Sequence, residues 1–450
     1  MSASRASVLS RRMLSITAVQ KNVLARVSQP QTQLIQSHSA ESHQRRFYAQ
    51  NRVKLMRLSP THQKSDPDLL FKKEDAPDLK FWQEWAPIHG PNDLTGEELH
   101  RATTAFCSVA KRGSSTWKPR LEMDYGIDNY TLHWASIALI QGPPGKPMEV
   151  GINMLSTAAS LSYQPSLLSL KRLSLKWDAQ RITNPLYHKM FTSAEAQFKQ
   201  LAQTVRDPDI LTLQGLQAQK EGKAMAAQKL FNEAITLGQQ NAGNPPHKDM
   251  DYMRDAVMKL ASDDSKGGNG LLREPRWNYE ADCRQQLGRI LVKMGHKNEA
   301  EYQFLVNAVE LDLPQAFLEI AKLNIFNDRD AKELLLLKVA QMGNREACQL
   351  LVREYLMRLE EAEATSSTEP KSKAPETRLL WWWMKLAGRY GNAKPDTELL
   401  EENLMLVNHA VEHGRASFRL QGVNKDGTSQ VAAWVYDSKG EVAQKVMLNI

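Results

Sequence analysis

Two segments of this chain carry one frame of small and aromatic residues in register, and that repetition limits the possible folds more than any other feature. Residues 287–311 read LGRILVKMGHKNEAEYQFLVNAVEL, with Gly288, Gly295, Ala300 and Phe304 at offsets of seven, five and four. Residues 213–237 read LQGLQAQKEGKAMAAQKLFNEAITL, and Gly215, Gly222, Ala227 and Phe231 hold the same offsets. Ala234 follows Phe231, and Ala308 follows Phe304. The frame has a mechanical meaning. A small residue at the first position lets a second helix approach the first closely. The second small residue suits the turn between them. Alanine at the third stands where the helices cross, and phenylalanine fills the space one turn later. The spacing predicts antiparallel helix pairs, each unable to bury its apolar face alone and therefore stacked on its neighbours.

This frame resembles the tetratricopeptide repeat. The two copies lie 73 residues apart, close to two of that family's roughly 34-residue units. Four further segments, 154–170, 304–320, 336–351 and 406–420, share a looser pattern: an apolar pair, an alanine, a short gap and another apolar run. They resemble the Sel-type branch of the same family, in which one helix ends and the next unit begins. The resemblance implies an all-α fold, a solenoid of antiparallel helix pairs over residues 128–420. It also implies binding of other proteins, as a peptide or helix in a concave groove, with no catalytic residue, cofactor or metal.

The net charge of +7 invites a nucleic-acid reading, but its distribution weakens it. Residues 1–48 hold Arg5, Arg11, Arg12, Lys21, Arg26, Arg45 and Arg46 against a single acid, Glu41. The remainder is nearly neutral, without the whole-domain basic footprint that phosphate backbones require. An Arg- and Ser-rich, acid-poor leader with Leu9, Met13 and Ile16 on one helical face reads as a mitochondrial transit peptide. Arg46-Phe47-Tyr48-Ala49 resembles the site where the matrix processing peptidase cuts and a second peptidase trims one residue. The competing reading is a basic tail. Hydrophobic residues make up 42% of the chain, enough for a sizeable core, yet no run of 18 apolar residues offers a transmembrane helix.

Between these landmarks the sequence predicts an irregular, partly extended arm over 49–127 with a few short helices, rich in proline, with Phe81, Trp82 and Trp85 docking it onto the body or serving as a partner-facing anchor. An insert at 238–275 reads as loop, amphipathic helix and loop, and 360–376 as a polar surface loop. Trp381-Trp382-Trp383 reads as buried helix or as an exposed anchor. Residues 421–450 read as a small cap, either a hairpin or a helix. Cys107, Cys283 and Cys348 lack the twin spacing of a zinc site or disulfide framework and read as buried thiols.

Three constellations touch on chemistry. Gly142-Pro143-Pro144-Gly145-Lys146 looks like a phosphate loop but has Ile140 in place of the first glycine and Pro147 in place of the magnesium-binding hydroxyl. His409-Ala410-Val411-Glu412-His413 matches a metallopeptidase pattern with too little chain after it for the third ligand. Lys171, Arg172, Lys176, Trp177 and Arg181 interleave cations with an aromatic, as an RNA-holding or partner patch does, and equally as a solvated helix face does. The expected function is a non-enzymatic adaptor of the mitochondrial matrix, or of the matrix side of the inner membrane, that helps assemble or organise an inner-membrane complex. The alternative is a helical-repeat RNA binder for mitochondrial gene expression or ribosomes, which requires the 171–181 cations to point into a groove.

Overall fold

The computed structural model describes residues 69–365 apart from 113–115, 143–144, 179–181, 243–247 and 263–270. Beyond 365 it describes residues 380, 383–384, 407, 411, 416–423, 429–436 and 442–449. The expected transit peptide, its cleavage site Arg46–Ala49 and the first part of the arm therefore lie outside the described residues. So do Arg181, Trp381, Trp382 and all of 409–413 except Val411. The described chain is predominantly helical. It divides into two compact units, which among described residues fall within 69–242 with 273–296, and 248–262 and 271–272 with 297–449.

The first unit begins with α1 (Leu79–His89), α2 (Gly96–Val109) and α3 (Lys118–Tyr125). The arm expected over 49–127 is thus helical from residue 79 and built into a core. Trp82, Leu99 and Phe106 are fully buried, Trp117 nearly so, and α2 packs on the helix that follows α3. The short helices expected in the arm are present, and α2 is well formed among the prolines. Thr95 and Glu98 form a reciprocal capping box at the start of α2, and Leu99, Ala102, Thr103 and Phe106 form the buried stripe. Then come α4 (Asn129–Gln141), α5 (Lys146–Ser160), α6 (Gln164–Lys176), α7 (Pro185–Thr204), α8 (Pro208–Lys220) and α9 (Ala224–Ala242), then α10 (Met250–Ser262) within the insert and α11 after it. Of these α11 (Glu280–Lys293) belongs to the first unit and packs on α8 and α9. Within this unit α4 packs on α5, α5 on α6, α6 on α7 and α8, and α8 on α9.

Gly215 is on α8 and Phe231 on α9, and a Cβ on Gly215 would stand 2.5 Å from Phe231 Cε1. The aromatic ring itself occupies the space that glycine leaves. Ala227, Phe231 and Ala234 are fully buried. In the other copy Gly288 lies on α11 and is buried, while Ala300, Phe304 and Ala308 are fully buried on α12 (Lys297–Val309).

Gly222 and Gly295 occupy the left-handed region, φ 77° and 83°. The same closure recurs at Ser162 (φ 64°) and Gly343 (φ 84°). In each case the next residue donates its N–H to the carbonyl five positions back: Tyr163 to Ala158, Lys223 to Ala218, His296 to Leu291 and Asn344 to Val339, at 2.8–3.3 Å. These are the left-handed caps that end helices by tying off orphan carbonyls.

The second unit contains α10 (Met250–Ser262), α12, α13 (Pro314–Leu323), α14 (Arg329–Gln341) and α15 (Arg345–Thr365). Helix α10 is the amphipathic stretch expected within the insert. It packs on α12 and α14 and is tied there by Arg254 to Glu301 at 2.5 Å and by Lys338 Nζ to the Leu260 carbonyl at 2.7 Å. The insert's opening residues, Gly238–Ala242, continue α9 rather than starting a loop. The polar stretch expected as a loop from residue 360 is helical through Thr365. Leu380, Trp383 and Met384 are buried helical positions.

One expectation of the all-α reading fails at the C-terminal end. Residues 416–420, expected as the last repeat helix, begin a three-stranded antiparallel meander: β1 (Ala416–Val423), β2 (Ser429–Tyr436) and β3 (Val442–Asn449), in the order β1-β2-β3. Phe418 pairs with Ala433 across β1 and β2, and Ala433 with Val446 across β2 and β3. Val431, Ala433 and Val435 are buried. That alternation has a period of two, which a helix cannot satisfy and a strand does.

Candidate functional site

Helix α6 packs on α5, α7 and α8, so cations along it have little open surface to project from. Lys171 and Arg172 are adjacent and leave the helix about 100° apart. Lys171 reaches α7 and α8: its Nζ meets Glu195 Oε2 at 2.5 Å and donates to Gln217 Oε1 at 2.7 Å. The same Nζ lies 5.1 Å above the centre of the Phe198 ring. Arg172 reaches α11, with Nη2 at 2.5 Å from Asp282 Oδ2 and its guanidinium 5.2 Å over the Tyr279 ring. Both side chains are more than nine-tenths buried. Trp177 packs edge-on against Tyr187 and Phe191, at 5.6 Å to each. The members of the 171–181 patch that are described therefore do not form the inward-facing basic groove an RNA reading requires. Lys171 and Arg172 are held by carboxylates, and Trp177 by aromatics.

Lys176 differs. It ends α6, and among the described residues no carboxylate lies within ion-pair distance of it. The residue keeps exposed surface at the end of the helix. Burial, together with the positive charge of Arg172, lowers its ammonium to about 8, against an opposing pull from Asp282. Next to it, Lys220 Nζ donates to the carbonyls of Ser174, Leu175 and Trp177 at 3.1–3.2 Å. That is the favourable placement of a cation at a helix C-terminus.

A second polar centre, unforeseen from the sequence, surrounds Glu280 at the start of α11. Its carboxylate is wholly buried and accepts from Arg273 Nη1 and Nη2 at 2.8 and 2.7 Å, from Arg276 N–H at 2.7 Å and from Arg284 Nε at 3.0 Å. Burial works to raise its pKa. The Arg273 hydrogen bonds and the charges of Arg284 and Arg273 outweigh that and hold it at about 2. Part of the signal was present in the sequence: Glu280 and Arg284 are spaced by four, which puts them on one face of α11, while Arg276 lies in the segment before it. Nearby, Asp209 at the head of α8 accepts from the Tyr279 N–H at 2.9 Å and from Asn278 Nδ2 at 2.8 Å. Burial, with the Asp207 charge, raises it to about 7 despite those bonds. Trp277 Nε1 donates to Thr212 Oγ1 at 3.2 Å. These contacts pin the segment before α11 onto α8.

A third arrangement escaped the sequence because its members are 33 residues apart. His133 Nδ1 and Ser166 Oγ are 3.0 Å apart, a nucleophile-and-base distance. The pair is enclosed. Ser166 has no exposed surface, the His133 ring packs edge-on against Trp134 and Tyr163, and burial lowers its pKa to about 3. A sealed neutral imidazole bonded to a sealed hydroxyl ties α4 to α6 and leaves no room for a substrate.

The remaining expectations fall in ordinary places. Lys146 of the false phosphate loop pairs with Glu149 at 2.7 Å, and the depression beside it is lined by Glu74 and Asp75, which repel phosphate. Cys107, Cys283 and Cys348 are buried free thiols, each pushed up to about 12 by burial. Among the described residues no cluster of three metal-ligating side chains occurs, and no helix is long and apolar enough to cross a membrane. Set against known proteins, the chain matches no family model and no curated sequence.

Proposed function

We propose that the chain is a helical-repeat adaptor of the tetratricopeptide and Sel-like kind. On this reading it is imported into mitochondria, binds other proteins without catalysing a reaction, and supports the assembly or organisation of an inner-membrane complex. The observation that carries the repeat reading is the recurring closure at Ser162, Gly222, Gly295 and Gly343, with one left-handed residue and one N–H-to-carbonyl bond of the same reach each time. Helix pairs closed alike and stacked on their neighbours present side chains rather than loops as the binding surface, as repeat proteins do. The mitochondrial part rests on the cationic, acid-poor leader and on Arg46-Phe47-Tyr48-Ala49. The RNA alternative has less support, since Lys171 and Arg172 are committed to Glu195 and Asp282.

The test is affinity purification of the full chain from detergent-solubilised mitochondria, with and without nuclease. The proposal expects subunits of an inner-membrane complex to remain bound after nuclease. Co-purified transcripts, with the protein partners lost on nuclease, would replace it with the RNA reading. A chain recovered from the cytosol with residues 1–48 intact would overturn the mitochondrial part.

A further inference from the structure

The depression beside Lys146 has so far served only to exclude phosphate. It lies in the first unit, where the one-turn helix Lys73–Asp75, α1 and the junction of α4 with α5 meet, and it encloses about 210 Å³. Two stretches that the sequence made conspicuous converge on it: Phe81 from the aromatic cluster, and Lys146 and Pro147 from the false phosphate loop. Its surface is mainly apolar, supplied by Pro77, Phe81, Leu139 and Pro147. Leu139 is fully buried and the other three are half-buried. The Phe81 ring packs edge-on against the buried Trp82, at 5.1 Å between ring centres. The charged lining is Glu74, Asp75 and Lys146. Lys146 Nζ is bonded to Glu149 Oε2 at 2.7 Å, which offsets its charge. Asp75 Oδ2 accepts the Lys72 N–H at 2.8 Å, and among the described residues neither Glu74 nor Asp75 has an ion-pair partner. Lys72 and Lys73 precede them in the chain but do not line the cavity.

We propose that this cavity is an anchor pocket for a partner protein, taking one aromatic side chain from a segment that carries lysine or arginine beside that aromatic. The proposal rests on the adaptor reading and names the kind of segment bound. Size sets its first part. A cavity of about 150 Å³ is enough for a benzene ring, whereas sites for whole cofactors or drug-sized molecules run from about 300 Å³ upward. A hollow of about 210 Å³ suits one large side chain of a larger partner. The Phe81 ring offers that side chain an aromatic contact, and Pro77 and Pro147 add apolar surface. Aromatic side chains seated in such pockets supply most of the affinity of many interfaces. Charge sets the second part. An acid beside the anchor would face Glu74 and Asp75 and be repelled, while a lysine or arginine there complements both.

Peptide titration of the full chain, with its leucine methyl groups labelled for NMR, tests this. The probe is acetyl-Gly-Lys-Phe-Lys-Gly-amide. A Lys-Ala-Lys counterpart removes the anchor, and a Glu-Phe-Glu counterpart reverses the charge. The expected result is a saturable shift of the Leu139 methyl signals by the probe, with both counterparts binding at least roughly tenfold more weakly. Glu74 is exposed, so Glu74→Lys leaves the core untouched. It should weaken the probe and strengthen the Glu-Phe-Glu peptide. Failure of the probe to saturate, Leu139 signals that do not move, or Glu-Phe-Glu bound as tightly as the probe overturns the proposal with the unaltered protein alone. Unchanged affinities in Glu74→Lys overturn the charge complementarity and with it the class of partner. Saturation that appears only in a Phe47→Ala chain would give the pocket to the chain's own Arg46-Phe47-Tyr48 and overturn the partner. The adaptor reading fails separately, if purification from mitochondria retains no protein partner. A Glu74→Lys chain that retains the same partners in the same amounts would overturn this pocket's role and leave that reading standing.

Discussion

The indole of Trp277 packs against Gly238, so close that a Cβ on Gly238 would stand 2.3 Å from its Cε3. The ring is held there by its own hydrogen bond to Thr212. Gly238→Ala must either displace the indole and break that bond or force α9 away from it. The expected loss is about 1–3 kcal/mol, the range for overpacking a tight core. Gly222→Ala is the comparison. No atom lies within 4 Å of its Cβ position, so the cost there is backbone strain alone, about 1 kcal/mol. Urea titration followed by circular dichroism checks both, and equal losses would mean that the indole yields freely.

Glu280 should be the most sensitive charged residue of the first unit. Three guanidinium groups converge on it within the protein. Glu280→Ala leaves them facing one another in a buried space, with an expected loss of about 3–5 kcal/mol. The acid side has a fixed sign. The folded carboxylate sits at about 2, below its ordinary 4.5. Its contribution is complete above 4.5 and is lost as pH falls from there through about 2. Acid titration of the wild type should show an unfolding limb in that window.

Asp209 behaves in the opposite sense. Its folded carboxyl sits at about 7 against an ordinary 3.8, so between those values the folded state holds a proton that the unfolded chain has released. Stability contributed by this site therefore falls as pH rises from about 4 to about 7, at up to roughly 1.4 kcal/mol per pH unit. Asp209→Asn removes the titration while keeping an oxygen for the Tyr279 N–H. Stability measured at pH 5 and pH 7.5 should converge in the variant. A variant whose stability changes between the two pH values as much as the wild type's does would sink this account.

What the sequence disclosed follows from distance along the chain. Gly215, Gly222, Ala227 and Phe231 fall within one helical hairpin, so their offsets alone determine which residues meet. Strand alternation at Val431, Ala433 and Val435 was equally local, but it sat beside a segment whose Ala410 and Gly414 matched the helical pattern, and the helix was extended over Ala416–Leu420. Lys171 and Arg172 read as solvent-facing because their acceptors, Glu195, Gln217 and Asp282, lie 24, 46 and 110 positions away. Trp277 and Gly238 lie at opposite ends of an insert that made contact between them unexpected. His133 and Ser166 needed three-dimensional placement to be seen as a pair at all.

Ser162 gives the sharpest test of the repeated closure. It occupies φ 64° in a turn where the equivalent residues, Gly222, Gly295 and Gly343, are glycines. Its side chain is exposed, so nothing is gained in return for the strain of a Cβ in the left-handed region. Ser162→Gly should therefore stabilise the protein by about 1 kcal/mol, less the extra freedom glycine gives the unfolded chain. Gly343→Ser places the same strain at the matching position of the other unit and should destabilise by a similar amount. Both changes leave the Tyr163-to-Ala158 and Asn344-to-Val339 bonds intact, so amide exchange at Tyr163 and Asn344 should move with stability and stay protected. A Ser162→Gly variant less stable than wild type, with the Tyr163 amide newly exposed, would mean that the serine side chain rather than the backbone bond closes that turn.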